Sequence, residues 1–503
     1  MDISDIAARL PSIVKSEQKL TFRDKLKWTG IILVLFFVLG SVTVWGIDAG
    51  AVAQFEFLEI VFGSKFGSLI TLGIGPIVTA SIILQLLVGS KILDWDTKTE
   101  EGKKKFMGTQ KVLAVLFCVF EAAAYVFAGA VPPAGGGLGL ALIVVAQLTL
   151  GGIIIILMDD MCQKWGIGSG VSLFIAAGVS KTIFVRTFSP PLGEAGGGII
   201  SSFLASLTAG QPTMAIISLL PLIATLTVFV IVVYMQGIRV EIPMAFSLPF
   251  GKFAARRWPL KFFYTSNIPV ILTAAVIANV QVVGKIMSQK GIGIFGQYDA
   301  NGRVVGGLAY YLTAPQSIGL MIMVVLAGLI ALGFALLAVS IWKKFALRMS
   351  ILGVAVGLLI GLFIVTNVAE IPAVAPGDYV RGLTYMLAMI IGSIIFSIFW
   401  MSTAGMDAKS VAEQFKSSFL MIPGFRRDPR IIEHVLNRYI PSLAVLGGAF
   451  VGFLAGFADL TNALGTGTGI LLAVMIVYQF YETIAQQHME EMHPAVRKFM
   501  GGS

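Results

Sequence analysis

The stretch Leu72–Leu87, LGIGPIVTASIILQLL, constrains this chain more than any other. It is apolar enough to cross a bilayer, yet it opens on Gly73, Gly75 and Pro76, residues that a helix interior avoids. Ahead of it lies FEFLEIVFG (Phe55–Gly63), apolar but too short to span. A helix broken into a short and a long half persists in a membrane only where protein buries it or where it lines a cavity. The stretch is therefore expected to line a pore, which the short half before it can close.

The rest of the chain supplies the membrane setting. Of its 503 residues, 57% are hydrophobic and 13% charged, against about 25% charged in a soluble domain. Apolar runs of spanning length recur throughout. Twelve spans are predicted: 29–46, 68–89, 112–131, 138–158, 168–185, 214–236, 265–283, 318–341, 350–369, 380–401, 441–458 and 465–485. With the N-terminus in the cytosol, 29 of the 36 Lys and Arg lie in cytosolic segments. The positive-inside rule selects that orientation, which places both termini in the cytosol of a plasma-membrane protein. The first 28 residues lack the apolar core of a signal peptide and read as an amphipathic surface segment.

Two pairs of spans resemble each other. IGPIVTA (Ile74–Ala80) in span 2 matches NIPVILTA (Asn267–Ala274) in span 7, which places Val78 opposite Ile271. GIGSGVSLFI (Gly166–Ile175) in span 5 matches ALGTGTGILL (Ala463–Leu472) in span 12, which places Ile175 opposite Leu472. Each pair is separated by an odd number of spans, so its members run in opposite directions, as in an inverted-topology repeat. Chance recurrence of Gly, Pro and Ile explains either match alone; the two together, in order, favour the repeat. Five spans used twice make ten, and spans 8 and 9 become an inserted pair.

Apolar positions cluster at the four broken starts. Ile74 and Val78 share one helical face, as do Val171 and Ile175. If those starts meet at an axis, Ile74, Val78, Val171, Ile175, Ile271 and Leu472 form a collar that stops water and ions by dewetting and close fit. Ordinary helix packing is the alternative. Glu121 is the one carboxylate well inside a predicted span. A charge there costs on the order of 3 kcal/mol, so it is protonated or hydrogen-bonded. Thr79 and Asn279, on the repeat-related spans 2 and 7, can join it in a reversible polar seam. Three separately satisfied residues are the alternative. A proton relay would call for more buried acids or histidines than the spans hold.

Chemistry of other kinds finds little support. There is no nucleotide loop, metalloprotease motif or nucleophile elbow. The histidines, His434, His488 and His493, lie outside spans or at their edges, and the two cysteines, Cys118 and Cys162, suggest no disulfide framework. No cofactor or metal is expected, and no enzyme activity. The long cytosolic loops 236–264 and 402–439 carry Lys252, Arg256 and Arg257, and Arg426 and Arg427. Such loops are topogenic or lipid-facing, or they dock an acidic partner such as ribosomal RNA.

Seven motifs run along the chain: LTFRDKLKWTG (Leu20–Gly30), LITLGIGPIVTASIILQLLVGS (Leu69–Ser90), GIGSGVSLFIAAGVS (Gly166–Ser180), FFYTSNIPVIL (Phe262–Leu272), PGFR (Pro423–Arg426), RYIPSLAVLGGAFVGFLA (Arg438–Ala455) and GTGTGILL (Gly465–Leu472). On these motifs, over nearly its whole length, the chain resembles the SecY family, the channel-forming subunits of the Sec protein-conducting channel, in the archaeal and eukaryotic-like branch. The resemblance implies that the six collar residues are the family's pore ring. The plug, a short re-entrant helix, is implied at Phe55, Glu56, Phe57, Leu58, Glu59, Ile60, Val61, Phe62, Gly63 and Ser64. A lateral gate between spans 2 and 3 and spans 7 and 10 is implied, with Thr79, Glu121 and Asn279 as its polar cluster; relatives often carry Gln at the middle position. Lys252, Arg256, Arg257, Arg426 and Arg427 fall in the loops implied to contact the ribosome. The implied partners are a SecE/gamma subunit, a beta subunit, the ribosome, signal sequences, nascent polypeptides and membrane lipid.

The clear departure from the family's ten spans is Ser317–Pro376, which inserts two more. The expected architecture is an all-α polytopic membrane protein: an inverted repeat of two five-helix halves around a pore, plus the inserted pair. Its parts are a cytosolic segment 1–28, a first half 29–185 containing the plug 55–64, the start of the second half 214–315, the insert 317–376, the rest of the second half 380–487 and a cytosolic tail 488–503. The expected function is a passive channel for secretory polypeptides, driven by a bound partner, that releases membrane segments sideways into lipid. A secondary transporter of a small solute is the alternative, since it too uses inverted repeats and broken helices.

Overall fold

In this computed structural model the described residues are 20–48, 67–89, 100–127, 129, 131–135, 137–190, 197–247, 253–266, 268–289, 291–299, 304–341, 346–367, 374–417, 420–421, 429–465 and 467–491, with 11, 13, 14, 16, 92, 93 and 95. The chain divides into two compact units, Met1–Val179 with Leu472–Ser503, and Ser180–Leu471. A helix is present at every predicted span, and nine of those described are long and apolar enough to cross a membrane.

In the first unit, α1 (Phe22–Leu39) begins at an N-cap, Thr21, whose hydroxyl oxygen accepts the Asp24 N–H and whose proton goes to the Asp24 carboxylate at 2.7 Å. The expected span 29–46 was too long at its end: the helix stops at Leu39, and Val42 and Val44 pair with the turn around Gly67–Leu69 instead. Helices α2 (Gly75–Gly89), α3 (Glu100–Phe127), α4 (Leu138–Trp165) and the first part of α5 (Gly170–Phe188) follow. Phe36 of α1 stacks on Phe174 of α5 at 4.7 Å. Of the expected surface segment before α1, residues 11, 13, 14, 16 and 20 onward are among those described. The segment is tied to the end of α4 by three bonds: the Ile13 N–H to Asp160, Lys164 Nζ to the Ile13 carbonyl, and Trp165 Nε1 to the Val14 carbonyl.

The second unit holds a short helix α6 (Ile199–Thr208), then α7 (Pro212–Gln236) and a strand pair, β1 (Arg239–Ser247) and β2 (Phe253–Lys261). Next come α8 (Ile268–Gln289), the short strands β3 (Gln297–Tyr298) and β4 (Val304–Gly306), and α9 (Leu308–Tyr311). The inserted pair is an antiparallel hairpin, α10 (Ile318–Ile341) and α11 (Ala346–Asn367). Last are α12 (Pro376–Thr403), α13 (Ala408–Ser417), β5 (Leu420–Met421), α14 (Pro429–Leu460) and the start of α15 (Gly467–Glu491). Gly353, Gly357 and Gly361 line one face of α11, where side chains would collide with Ala331, Ala327 and Met323 of α10. Without side chains there the two backbones close on each other, the usual basis of helix association in lipid. On α10 itself, Gly328 admits the ring of Phe457 from α14.

The all-α expectation needs one amendment. The two long loops expected on the cytosolic side contribute strands to one three-stranded antiparallel sheet in the order β2-β1-β5, with Ala245 opposite Ala255 on one side and Met421 on the other. Its apolar side, Ile242 and Leu260, is buried against Phe415 of α13 and Ile432, Leu436 and Ile440 of α14, and Trp258 meets Phe415 edge-on at 4.6 Å.

Candidate functional site

Four helices carry the six apolar positions, and all four start in the same way. Gly73 (φ 52°), Gly168 (φ 75°), Ser266 (φ 58°) and Gly465 (φ 91°) adopt left-handed backbone conformations. Each lies two residues before the first residue of α2, α5, α8 or α15. A left-handed residue turns the chain sharply, so a helix can begin partway through the apolar layer rather than at its edge. Glycine takes this conformation freely; another L-residue pays for it in backbone strain. The three glycines were readable as helix breakers. Ser266, the one non-glycine, was detectable only through the repeat that aligns SNIP with GIGP.

Ile74 sits at the break before α2, and Val78 one turn into that helix. Val171 and Ile175 lie in the first turns of α5, Ile271 in the first turn of α8, and Leu472 in the second turn of α15. Ile74, Ile175 and Leu472 are buried, and Val78, Val171 and Ile271 are half-buried. All six are thus close behind a break, as the sequence suggested. Ile271 belongs to the second compact unit and the other five to the first.

Of the three polar residues expected to form a seam, two are in contact. The Thr79 hydroxyl donates to Glu121 Oε1 at 3.1 Å, bridging α2 and α3. Glu121 Oε2 is buried and has no hydrogen-bond partner among the described residues. Asn279 lies on α8, and its side chain falls outside the described residues, as do the plug segment Phe55–Ser64 and the basic residues Lys252, Arg426 and Arg427. Arg256 lies in β2 opposite Met244, its side chain likewise outside the described set. Arg257 is exposed and paired with Glu241 at 2.8 Å. The two loops predicted to carry basic residues are joined by the β1–β5 pairing. The Tyr264 hydroxyl, which burial pushes up to about 12, donates to the Met406 carbonyl and ties the foot of the sheet to the turn before α13.

Two further acidic residues escaped the sequence reading because they sit at the edges of their predicted spans. Asp159, in the penultimate turn of α4, accepts the Val171 N–H at 3.0 Å and the Ser169 hydroxyl at 3.4 Å with Oδ1, and Gln163 Nε2 at 2.8 Å with Oδ2. Asp459, in the last turn of α14, accepts the Gly467 N–H at 2.6 Å and the Tyr385 hydroxyl at 2.7 Å. The signal available for them was an acid just past the end of a predicted apolar span, followed by a Gly-x-Gly start.

Among the described residues no cluster of His, Cys, Asp or Glu could hold a metal. What the arrangement presents is a set of broken helices with apolar first turns, a polar bond between two neighbouring spans, and a three-stranded sheet.

Comparison with known proteins gives a consistent picture. The SecY family pattern matches residues 68–481. The protein translocase subunit SecY of Methanocaldococcus jannaschii is 41% identical over 498 aligned residues, covering 98% of each chain. Among solved structures, one described as the plug domain of the SecY protein stabilising the closed state of the translocation channel and maintaining a membrane seal matches with a TM-score of 0.72 at 41% identity, covering 98% of this chain and 99% of that one. A second, Sec61 in the canine ribosome–channel complex from the endoplasmic reticulum, matches with a TM-score of 0.72 at 39% identity over the same shares.

Proposed function

This chain belongs to the SecY family of protein translocase subunits, multi-pass membrane proteins that form protein-conducting channels, and on that premise we propose how its own residues conduct, seal and open. Ile74, Val78, Val171, Ile175, Ile271 and Leu472 form an apolar collar around the path of the polypeptide. The observation that carries this reading is the shared left-handed start of α2, α5, α8 and α15, which sets an apolar side chain just behind each break. Branched aliphatic side chains at a constriction keep it dry when empty and offer a moving chain no fixed hydrogen bonds, so sequences of any kind slide past. A solute transporter would instead need polar groups at the midplane to hold its cargo. The family assignment replaces that alternative.

In this reading Phe55–Ser64 rests against the outer side of the collar as a plug. Signal sequences intercalate where α2 and α3 face α8 and α12, and Asn279 completes the seam begun by Thr79 and Glu121. Each such bond in a membrane is worth only about 0.6–1.7 kcal/mol, weak enough to part when an apolar helix competes for the same space. The sheet β2-β1-β5 and the loop that follows β5 present Lys252, Arg256, Arg257, Arg426 and Arg427 to the ribosome, whose phosphates attract them. The ribosome drives the chain; this subunit is passive. A SecE/gamma subunit and a beta subunit complete the channel, and both termini of this chain face the cytosol.

The test is electrical. Channels reconstituted with Ile74, Val78 and Ile271 all replaced by Gly are expected to show resting ion conductance well above native in planar bilayers. Unchanged conductance contradicts the collar.

A further inference from the structure

The two helices that contribute Val171, Ile175 and Leu472 to the proposed collar share a second feature. The repeat aligns Gly168-Ser169-Gly170 with Gly465-Thr466-Gly467, and so sets Gly170 opposite Gly467. In both places an acid from the end of the preceding helix receives the first backbone N–H groups of the next one. Asp459 takes the Gly467 N–H, and Asp159 takes that of Val171, the residue after Gly170. Close approach makes glycine necessary at both positions. A Cβ on Gly170 would collide with Asp159 itself, and one on Gly467 would overlap the carbonyl of Ala455.

The chemistry explains why a carboxylate stands there. The first N–H groups of a helix have no partner inside it, and in an apolar layer water cannot supply one. A carboxylate satisfies several at once and complements the positive end of the helix dipole. A buried acid is expensive in a membrane, so it needs partners on both oxygens. Both have them: Gln163 takes the second oxygen of Asp159, and Tyr385 that of Asp459.

The geometry reaches the collar directly. Ile175 lies four residues beyond the pinned Val171, and Leu472 five beyond the pinned Gly467. A helix turns about 100° and rises 1.5 Å per residue. A start that slips by one residue would swing these side chains a quarter-turn off the pore axis. We propose that Asp159 and Asp459 are positioning residues of the pore, pinning the starts of α5 and α15 so that Ile175 and Leu472 stay in the collar. The proposal rests on the collar reading above.

The experiment uses the complete channel in planar bilayers, with translocation of a secretory precursor measured on the same preparations. Asp159→Ala and Asp459→Ala, in channels that still translocate, are expected to raise resting conductance roughly threefold or more, since a displaced collar no longer dewets. Asp159→Asn and Asp459→Asn keep an acceptor oxygen for the backbone N–H and are expected to stay near native. A purely structural role would lower yield and thermal stability without opening a leak. Alanine channels that translocate and seal like native ones overturn the proposal. If alanine prevents assembly, Tyr385→Phe, which frees one oxygen of Asp459, carries the test: a smaller leak supports the proposal, and a native seal overturns it. The triple glycine collar variant runs alongside. If it leaks and the acid variants do not, positioning by the acids is wrong and the collar stands. If it does not leak, the collar is wrong and the proposal falls with it.

Discussion

The Thr79 hydroxyl donates to Glu121 Oε1 at 3.1 Å, joining the helix that follows the first break to its neighbour α3. The other carboxylate oxygen, Oε2, is buried without a partner among the described residues. A buried acceptor left unpaired costs about 1–3 kcal/mol, so a donor is expected to reach it. Asn279 is the expected donor. A double-mutant cycle over Glu121→Ala and Asn279→Ala, read by thermal unfolding of the purified channel, is expected to give a coupling of about 1 kcal/mol. Strict additivity would separate Asn279 from the seam.

Ser266 is the only non-glycine among the four left-handed residues that precede the collar helices. Ser266→Gly is expected to leave stability within about 0.5 kcal/mol, because relief of strain offsets the added freedom of the unfolded chain. Ser266→Val is expected to lower it by about 1–2 kcal/mol, since a branched side chain clashes in that conformation. Equal unfolding temperatures for the two variants would contradict a strained start for α8.

Much of the fold was legible because apolar run length is a property of single segments. A helix stands at each of the twelve expected spans, the inserted hairpin α10–α11 among them. The strands β1, β2 and β5 were not legible. Pro243 and Pro259 interrupt RVEIPMAFS and FAARRWPLK, where proline argues against a strand, and β1 acquires its second neighbour only from residues 420–421. Of the candidate site, the positions along each helix were readable from Gly-x-Gly and Pro. Asp159 and Asp459 were missed because an acid at a span edge reads as the point where the membrane ends. Only the bonds to Val171 and Gly467 reveal that each serves the next helix.

The sheet β2-β1-β5 is seated by Phe415, which is buried against Trp258. Phe415→Ala is expected to cost about 3 kcal/mol locally and to loosen the sheet. Ribosome binding, followed by co-sedimentation, should weaken while resting conductance stays native. Reversing Arg256, Arg257, Arg426 and Arg427 to Glu should weaken binding further and flatten its dependence on salt. An unchanged salt slope would remove these residues from the ribosome contact.

The inserted hairpin closes over glycine. A Cβ at Gly357 would come within 2.5 Å of the Ala327 Cα, so Gly357→Ile must push α10 and α11 apart. The expected loss of stability is about 1–3 kcal/mol, the range for overpacking. Translocation of a secretory precursor should persist, because none of the collar, seam or sheet residues lies on α10 or α11. Loss of translocation in a variant that remains folded would give the insert a direct part in conduction.

The central claim is that polypeptide passes through the collar, and Val78 is the position from which to measure it. In a background with Cys118 and Cys162 replaced, Val78→Cys is challenged with a ribosome carrying a stalled secretory chain that bears one cysteine in its translocating segment. Oxidation is expected to join the two in a disulfide, and the yield should fall as the chain's cysteine is moved out of the membrane layer. No disulfide at any position of the nascent chain, from a channel that still binds the ribosome and translocates precursor, would contradict the account.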